Sequence, residues 1–302
     1  MPPAISHPAP PPLYPPTPSH PPHQRRRHIC GTRHRGPPRC SSSIFRNEST
    51  AARSSSPASI APPHHEFSLV TPIAPLTVQS ATGHGVTFDE PLMVQDVKVN
   101  ERMGGIAVDG RPADCVKLAI SSLWPERHGK DARPDLLISG MNAGANCGIN
   151  VIYSGTVAAA IEGAFLGVPS IAVSMLIRPG PLLFDVAARW GRETIERLLA
   201  GGLPDPHEII SINIPTPERD GPRPPIRVCP MNTHGLVDAY ERRVSPAGNV
   251  YYWAAGHGLD FHATDAGTDV AELMGGCITV TPLRYDLTRH ETMTRWRARL
   301  GL

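Results

Sequence analysis

From about Glu66 onward, the apolar residues of the chain recur with two alternating periods. Short runs of apolar and β-branched residues are typical of buried strands, and apolar residues that return every three or four positions are typical of helices. The runs predict strands at 67–70, 91–94, 135–140, 168–174 and 209–215, and the helical spacing predicts helices at 113–122, 156–166 and 182–199. This β-α-β-α order predicts an α/β fold with a parallel sheet covered by helices on both faces.

The pattern changes toward the C-terminus. Asn249–Ala254 reads NVYYWA, a β-prone and aromatic run that follows a turn-like Pro-Ala-Gly, and it predicts one arm of a hairpin. Exposed aromatic hairpins often pair with another subunit, so we expect a homo-oligomer. A last strand is predicted at Ile278–Leu283 and a closing helix at Asp286–Leu300.

The first 65 residues have a different composition. They hold 16 of the 35 prolines, 8 of the 29 Lys and Arg residues and one acid, Glu48, which gives them a net charge of +7. Such a segment cannot bury enough apolar surface to offset chain entropy, so residues 1–65 are predicted to be disordered. Two functional interpretations stay open here, a polyproline ligand for an aromatic groove and an organelle transit peptide.

The remaining residues, 66–302, carry a net charge of −5. This charge gives no indication of a basic face, so no nucleic-acid partner is expected. No apolar run approaches the roughly 18 residues of a membrane span, and the N-terminus has no apolar secretory core, so no membrane partner is expected either. The six cysteines are scattered without metal-ligand spacing, which favours free thiols and a cytoplasmic location.

The strongest chemical signal lies in Ser139–Thr156, which reads SGMNAGANCGINVIYSGT and runs from a predicted buried strand into a helix. Ser154, Gly155 and Thr156 stand where the helix begins, so backbone N–H groups and hydroxyls converge there on an anion. Asn142 and Asn146 offer neutral oxygens that suit a hard cation. The alternative is an Asn- and Gly-rich turn in which Ser154 is an ordinary N-cap.

The same stretch, continued to Ser174 as VAAAIEGAFLGVPSIAVS, resembles the signature of the SurE family, the stationary-phase survival proteins with 5′-nucleotidase activity. Four further blocks agree in order and spacing, so that the resemblance covers about residues 66–302. They are AP followed by SATGH (74–84), GRPADCVKLA (110–119), INIP (212–215) and TDVAELMGGCITVTPLRYDLT (268–288).

The resemblance implies a Rossmann-like three-layer α/β/α fold with a β-hairpin and C-terminal oligomerisation arm, assembled as a homodimer or homotetramer. It implies hydrolysis of nucleoside 5′-monophosphates with a divalent metal, magnesium or manganese, held by two adjacent aspartates, a serine and an asparagine. The metal-binding serine and asparagine correspond to Ser80 and Asn142. The phosphate-binding wall corresponds to Asn146, Ser154, Gly155 and Thr156, whereas Asp114 and Asp269 are predicted to be structural.

The aspartate pair of the family, in the motif N-D-D-G, is missing, and the first aspartate of the chain is Asp89, beyond Ser80. Two neutral oxygens do not replace two carboxylates on a hard dication, so the chain is predicted to be an impaired enzyme and to lack the first, central strand of the sheet. A catalytically inactive binding or assembly subunit is one alternative, and a broader phosphatase that also trims polyphosphate is another.

The genetic code offers a reason for the missing motif. The segment HPPHQRRRH, residues 20–28, can be written with legal codons that read I-L-L-T-N-D-D-G-I when translation starts one nucleotide later. The nine-residue fit leads to the hypothesis that the Pro- and Arg-rich start is a frameshifted reading of the first strand and metal loop.

Overall fold

The computed structural model of the chain describes residues 69–101, 103–255 and 258–302, together with the backbone of Ser42–Arg46. In this part of the chain the strands are β1 (Ser42–Arg46), β2 (Leu69–Pro75), β3 (Val94–Lys98), β4 (Gly104–Val108), β5 (Leu136–Ala143), β6 (Ser170–Met175), β7 (Glu208–Ile214), β8 (Ile226–Val228), β9 (Ala239–Val244), β10 (Val250–Ala255) and β11 (Ile278–Arg284). The α-helices are α1 (Pro112–Leu118), α2 (Trp124–His128), α3 (Gly155–Phe165), α4 (Phe184–Leu199), α5 (Asp269–Met274) and α6 (Met293–Arg299).

Nine strands form one sheet in the order β3-β4-β2-β1-β5-β6-β7-β11-β8, and β9 and β10 form a separate hairpin. The strands β5, β6 and β7 are parallel neighbours, whereas β11 runs antiparallel to β7. The predicted α/β fold class with a central parallel sheet is therefore confirmed, and its carboxyl-end edge is where ligands bind in such sheets.

Strand β6 shows how the sheet separates two helical layers. Successive side chains of a strand point to opposite faces, and all six residues of β6 are buried. Ile171 and Val173 pack in one cluster with Trp190 of α4, whereas Ala172 packs with Val157 of α3 on the opposite face. The result is a three-layer α/β/α arrangement, and none of the described helices has the length and apolar character needed to cross a membrane.

The predicted elements and the observed ones agree closely in the middle of the chain and diverge at its end. The predicted closing helix is replaced by a 3-10 turn at His290–Thr292 followed by the short α6. The carboxylate of Asp286 accepts hydrogen bonds from the Thr288 N–H and the His290 ring. Local side-chain bonds of this kind compete with the helical hydrogen bonds, which explains the delayed start of the helix.

The centre of the sheet differs from the prediction. We expected it to lack a strand, but β1 lies between β2 and β5 and is antiparallel to both. The sequence SSIFR contains β-prone residues and no proline, so every interior residue of β1 can donate and accept ladder hydrogen bonds. Residues 1–41 and 47–65 lie outside the described part, so their predicted disorder stays a prediction.

Substitution of Ile44 by proline tests the place of β1. Proline removes one N–H from a strand that pairs on both sides, and an orphaned buried partner costs about 1–3 kcal/mol. We expect Ile44→Pro to lower the free energy of unfolding in urea by about this amount, while the control Ile44→Val, which keeps the N–H, has little effect. Equal unfolding curves for the two variants would show that Ser42–Arg46 does not belong to the sheet.

Candidate functional site

The chain leaves the sheet at the carboxyl end of β5 and returns through the 3-10 turn Gly148–Tyr153 to the start of α3. Gly148 has a positive φ of 58°, and a Cβ at this position would lie 2.8 Å from the ring of Phe261. Only glycine fits this conformation and this space without strain. The turn is therefore packed closely against Phe261, and it leads directly into the first turn of α3.

Helix α3 begins with Ser154 as its N-cap, in an extended conformation. The Ser154 hydroxyl oxygen accepts a hydrogen bond from the Val157 N–H at 3.1 Å, which satisfies one of the four N–H groups that a helix start leaves without intrahelical acceptors. The N-cap alternative for Ser154 is thus correct as local structure. It is compatible with anion binding, because the hydroxyl keeps its own proton to donate, and the N–H groups of Gly155 and Thr156 remain at the helix start.

A cavity of about 340 Å³ opens at this sheet edge, and all six predicted site residues line it. They are Ser80, Asn142, Asn146, Ser154, Gly155 and Thr156. The described residues that line the cavity include no acidic and no basic side chain. An anion in this cavity would therefore face the positive end of the α3 dipole, and no described lining residue would repel it with a carboxylate.

Two asparagines in the cavity are held by hydrogen bonds. The Asn142 amide nitrogen donates to the Gly144 carbonyl at 2.8 Å. The Asn146 amide nitrogen donates to the Ser174 hydroxyl at 2.7 Å, and the Asn146 N–H donates to the side-chain oxygen of Asn213 at 2.8 Å. Because the side-chain nitrogen of each asparagine donates to a protein acceptor, the side-chain oxygen of each points away from that hydrogen bond.

Sequence reasoning missed the two residues that hold Asn146. Ser174 and Asn213 are buried at the ends of β6 and β7, where each shows only 1% of its surface. The sequence did contain a signal for both residues. Each is a polar residue in an otherwise apolar strand, and such a residue is buried only when it is hydrogen-bonded. Further lining residues that the sequence did not single out are Gln79, Asn150, Tyr153, Ile177 and Leu259.

Asp269 and Cys147 lie beneath the cavity and are structural. The Asp269 carboxylate accepts N–H hydrogen bonds from Gly148 and Asn232, each at 2.8 Å, so it ties the cavity turn to α5. Burial, reinforced by the charge of Asp269, raises the pKa of the Cys147 thiol to about 12, which excludes this thiol as a nucleophile near neutral pH. These hydrogen bonds support the prediction that Asp269 is structural.

Asp114 is structural as well. It is 1% exposed in the first turn of α1 and accepts hydrogen bonds from the Thr87 N–H, the Thr87 hydroxyl and the Arg111 N–H. Both of its oxygens are occupied by these bonds, which cap α1 and fasten the loop before β3.

The divalent metal implied by the resemblance does not fit the residues that the structure describes. Ser80 and Asn142 are neutral donors, and a hard dication is held in proteins chiefly by carboxylates. Within the described ranges, no group of three or more His, Cys, Asp or Glu side chains comes together as a metal site. The hypothetical aspartate pair encoded at residues 20–28 lies outside the described residues.

Comparisons with known proteins identify the family of the chain. The family model of survival protein SurE matches residues 59–236. A protein named 5′-nucleotidase SurE from Syntrophobacter fumaroxidans is 39% identical over 230 residues, which cover 75% of this chain and 88% of that protein. A protein of the same name from Heliobacterium modesticaldum is 42% identical over 224 residues, covering 72% of this chain and 77% of the relative.

Among solved structures, the chain is similar to the crystal structure of the SurE protein from Aquifex aeolicus. The TM-score is 0.62 at 30% sequence identity, and the match covers 76% of this chain and 87% of that one. The family model spans more than half of the chain, and relatives are matched over most of their length. By sequence and fold, this chain belongs to the SurE family.

Proposed function

We propose that the cavity binds the phosphate group of a phosphate monoester and that the chain is a 5′-nucleotidase whose catalytic power is impaired in this form. The single observation that carries the proposal is the start of α3, where Ser154, Gly155 and Thr156 line a cavity whose described lining is uncharged. Helix N-termini are favourable sites for phosphate because their N–H groups and dipole act together.

Each part of the wall has a separate task. The N–H groups of Gly155 and Thr156 and the Thr156 hydroxyl donate to phosphate oxygens, and Ser154 donates its proton while it accepts the Val157 N–H. Asn146, fixed by Ser174, closes the side of the cavity toward β6. These groups orient the phosphate and stabilise charge that builds on it during hydrolysis.

Nucleoside 5′-monophosphates are the proposed substrates. The names of the relatives, 5′-nucleotidase SurE, support this choice. The cavity also favours a single phosphate over a polyphosphate, because a chain of many negative charges calls for basic side chains, and no Lys or Arg is among the described lining residues. We place the chain in the cytoplasm, in keeping with buried cysteines such as Cys229 and Cys277.

The proposed impairment is a loss of binding of the divalent metal. A divalent ion bound beside Ser80 and Asn142 would supply Lewis acidity and an activated water. The described donors are too few and too neutral to hold it, so we attribute the loss to the first part of the chain, where codons for residues 20–28 allow the N-D-D-G motif in a second frame. Resequencing the start of the gene tests this hypothesis, and codons that are incompatible with the second frame would reject it.

A second function, a non-catalytic binding subunit, is favoured by the same uncharged lining. Such a subunit keeps the phosphate-binding wall and the surfaces for assembly but lacks the carboxylates for metal. Both functions require phosphate binding, and they differ only in turnover.

We also propose that the chain forms a homodimer or homotetramer through the hairpin of β9 and β10. Both strands are exposed along their whole length. In the hairpin register Val250 pairs with Val244 and Ala254 with Tyr240, so these side chains share one face with Tyr252, and this face is apolar except for Arg242 opposite Tyr252. A two-stranded hairpin is marginally stable alone, and an apolar face of this kind is stabilised by a partner.

The substitution Thr156→Val tests the phosphate wall. Valine keeps the volume of this buried side chain but removes the hydroxyl, and a hydrogen bond to a charged group contributes about 1.5–3 kcal/mol. We expect inorganic phosphate to bind at least about tenfold more weakly, measured by calorimetric titration of the full chain.

The matched control is Thr279→Val in β11. The Thr279 hydroxyl is buried and has no hydrogen-bond partner among the described residues, so its removal leaves phosphate binding unchanged. Equal phosphate affinity of the Thr156→Val variant and the parent chain would contradict the proposed wall.

The substitution Tyr252→Glu tests the assembly surface. Glutamate removes the aromatic ring from this face and adds a carboxylate, which disfavours burial of the face against a second copy, so we expect a lower molar mass in light scattering. Phe88→Glu is the control, since Phe88 is also an exposed aromatic residue but lies outside the hairpin. An unaltered mass for Tyr252→Glu would reject the hairpin as the contact between subunits.

A further inference from the structure

A cluster of charged and titratable side chains joins three elements. Glu162, in the middle of α3, is 4% exposed, yet both oxygens of its carboxylate are engaged. One oxygen lies 2.8 Å from the Nε2 atom of His84, in the loop between β2 and β3. The other lies 2.8 Å from the Nζ atom of Lys117 in α1. The carboxylate thus links this loop and α1 to the helix that carries the phosphate wall.

The cluster holds together electrostatically. A buried carboxylate is costly unless it is paired and hydrogen-bonded. The hydrogen bond with His84 is the largest effect on the pKa of Glu162 and lowers it below its ordinary value; burial opposes this shift, and Lys117 adds to it. Glu162 is therefore ionised near neutral pH and keeps both partners close.

The loop in question, residues 79–87, carries Ser80 into the cavity. The loop is also held by two further hydrogen bonds among the described residues. The Gly83 N–H donates to the Tyr153 carbonyl at 3.0 Å, and the Thr87 N–H donates to Asp114 at the far end of the loop. His84, which bonds to Glu162, lies between Gly83 and Thr87 in the sequence, and its hydrogen bond joins the loop directly to α3.

The loop also touches the first turn of α3. A Cβ placed on Gly155 would lie 3.3 Å from the Thr82 hydroxyl oxygen, so loop and helix are in direct contact beside the phosphate wall. In a contact this close, a small displacement of the loop changes the width of the cavity.

We propose that Glu162 is a positioning residue, which through His84 holds loop 79–87 against the first turn of α3 and so fixes Ser80 relative to the phosphate wall. This inference rests on the proposed phosphate site, because it assigns the cluster the task of shaping that site. It concerns residues that do not line the cavity.

Two variants of the full chain separate positioning from general stability. His84→Ala and Lys117→Met each remove one partner of the same buried carboxylate, and the two side chains are similarly exposed, 37% and 43%. Only His84 lies on the loop. Amide hydrogen exchange of residues 79–87 and titration with inorganic phosphate are measured for both, and thermal melting shows that both are folded.

We expect His84→Ala to speed exchange of the Gly83 amide about tenfold and to weaken phosphate binding to a similar degree. Lys117→Met leaves both quantities near those of the parent chain, and His84→Gln, which retains a donor, restores part of the loss. A merely structural cluster would instead give equal changes for His84→Ala and Lys117→Met.

Unchanged loop exchange in His84→Ala, or equal acceleration in both variants, would overturn the positioning role. Failure of the parent chain to bind phosphate would reject the proposed function separately, because loop exchange still reports on the anchoring. Faster exchange with unaltered phosphate affinity would also overturn the inference, since loosening the loop would then have no effect on the phosphate site.

Discussion

The N-terminus of α3 organises the candidate site. Its N–H groups point toward the carboxyl edge of the sheet, and a helix start must satisfy those groups by a cap, water or a ligand. Ser154 satisfies one of them. The tight turn at Gly148, the bonds of Asp269 beneath it and the contact with Thr82 hold this helix start in place. The cavity exists because these elements meet around α3.

Much of this arrangement could be predicted from the sequence. Continuous apolar runs for β5, β6 and β7 and the helical spacing of α3 and α4 identified the central sheet and its covering layers, because buried parallel strands and amphipathic helices have distinct periods. The six cavity residues stood in one Gly- and Asn-rich stretch and one polar loop, and the structure brings them to one cavity. Their roles as ligands remain proposals.

Other features could not be read from periodicity. The antiparallel insertion of β1 depends on an open place between two distant strands, which local sequence does not reveal. Likewise, the pairing of Glu162 with His84 joins residues 78 positions apart. Asp286 delays the closing helix by a local bond that competes with helical hydrogen bonds, although the residues that follow it have helical propensity.

The proposed phosphate-binding wall lines a cavity whose described residues supply no carboxylate for a metal. The most direct measurement is phosphate release from a nucleoside 5′-monophosphate with manganese, for this chain and for one in which the codons of residues 20–28 are read one nucleotide later and the original frame is restored before Ser80. Because a bound metal lowers the barrier by several kcal/mol, we predict release at least about a hundredfold faster in the second chain. Equal, manganese-dependent release by both chains would show that this chain already holds its metal and that residues 20–28 are not needed for the site.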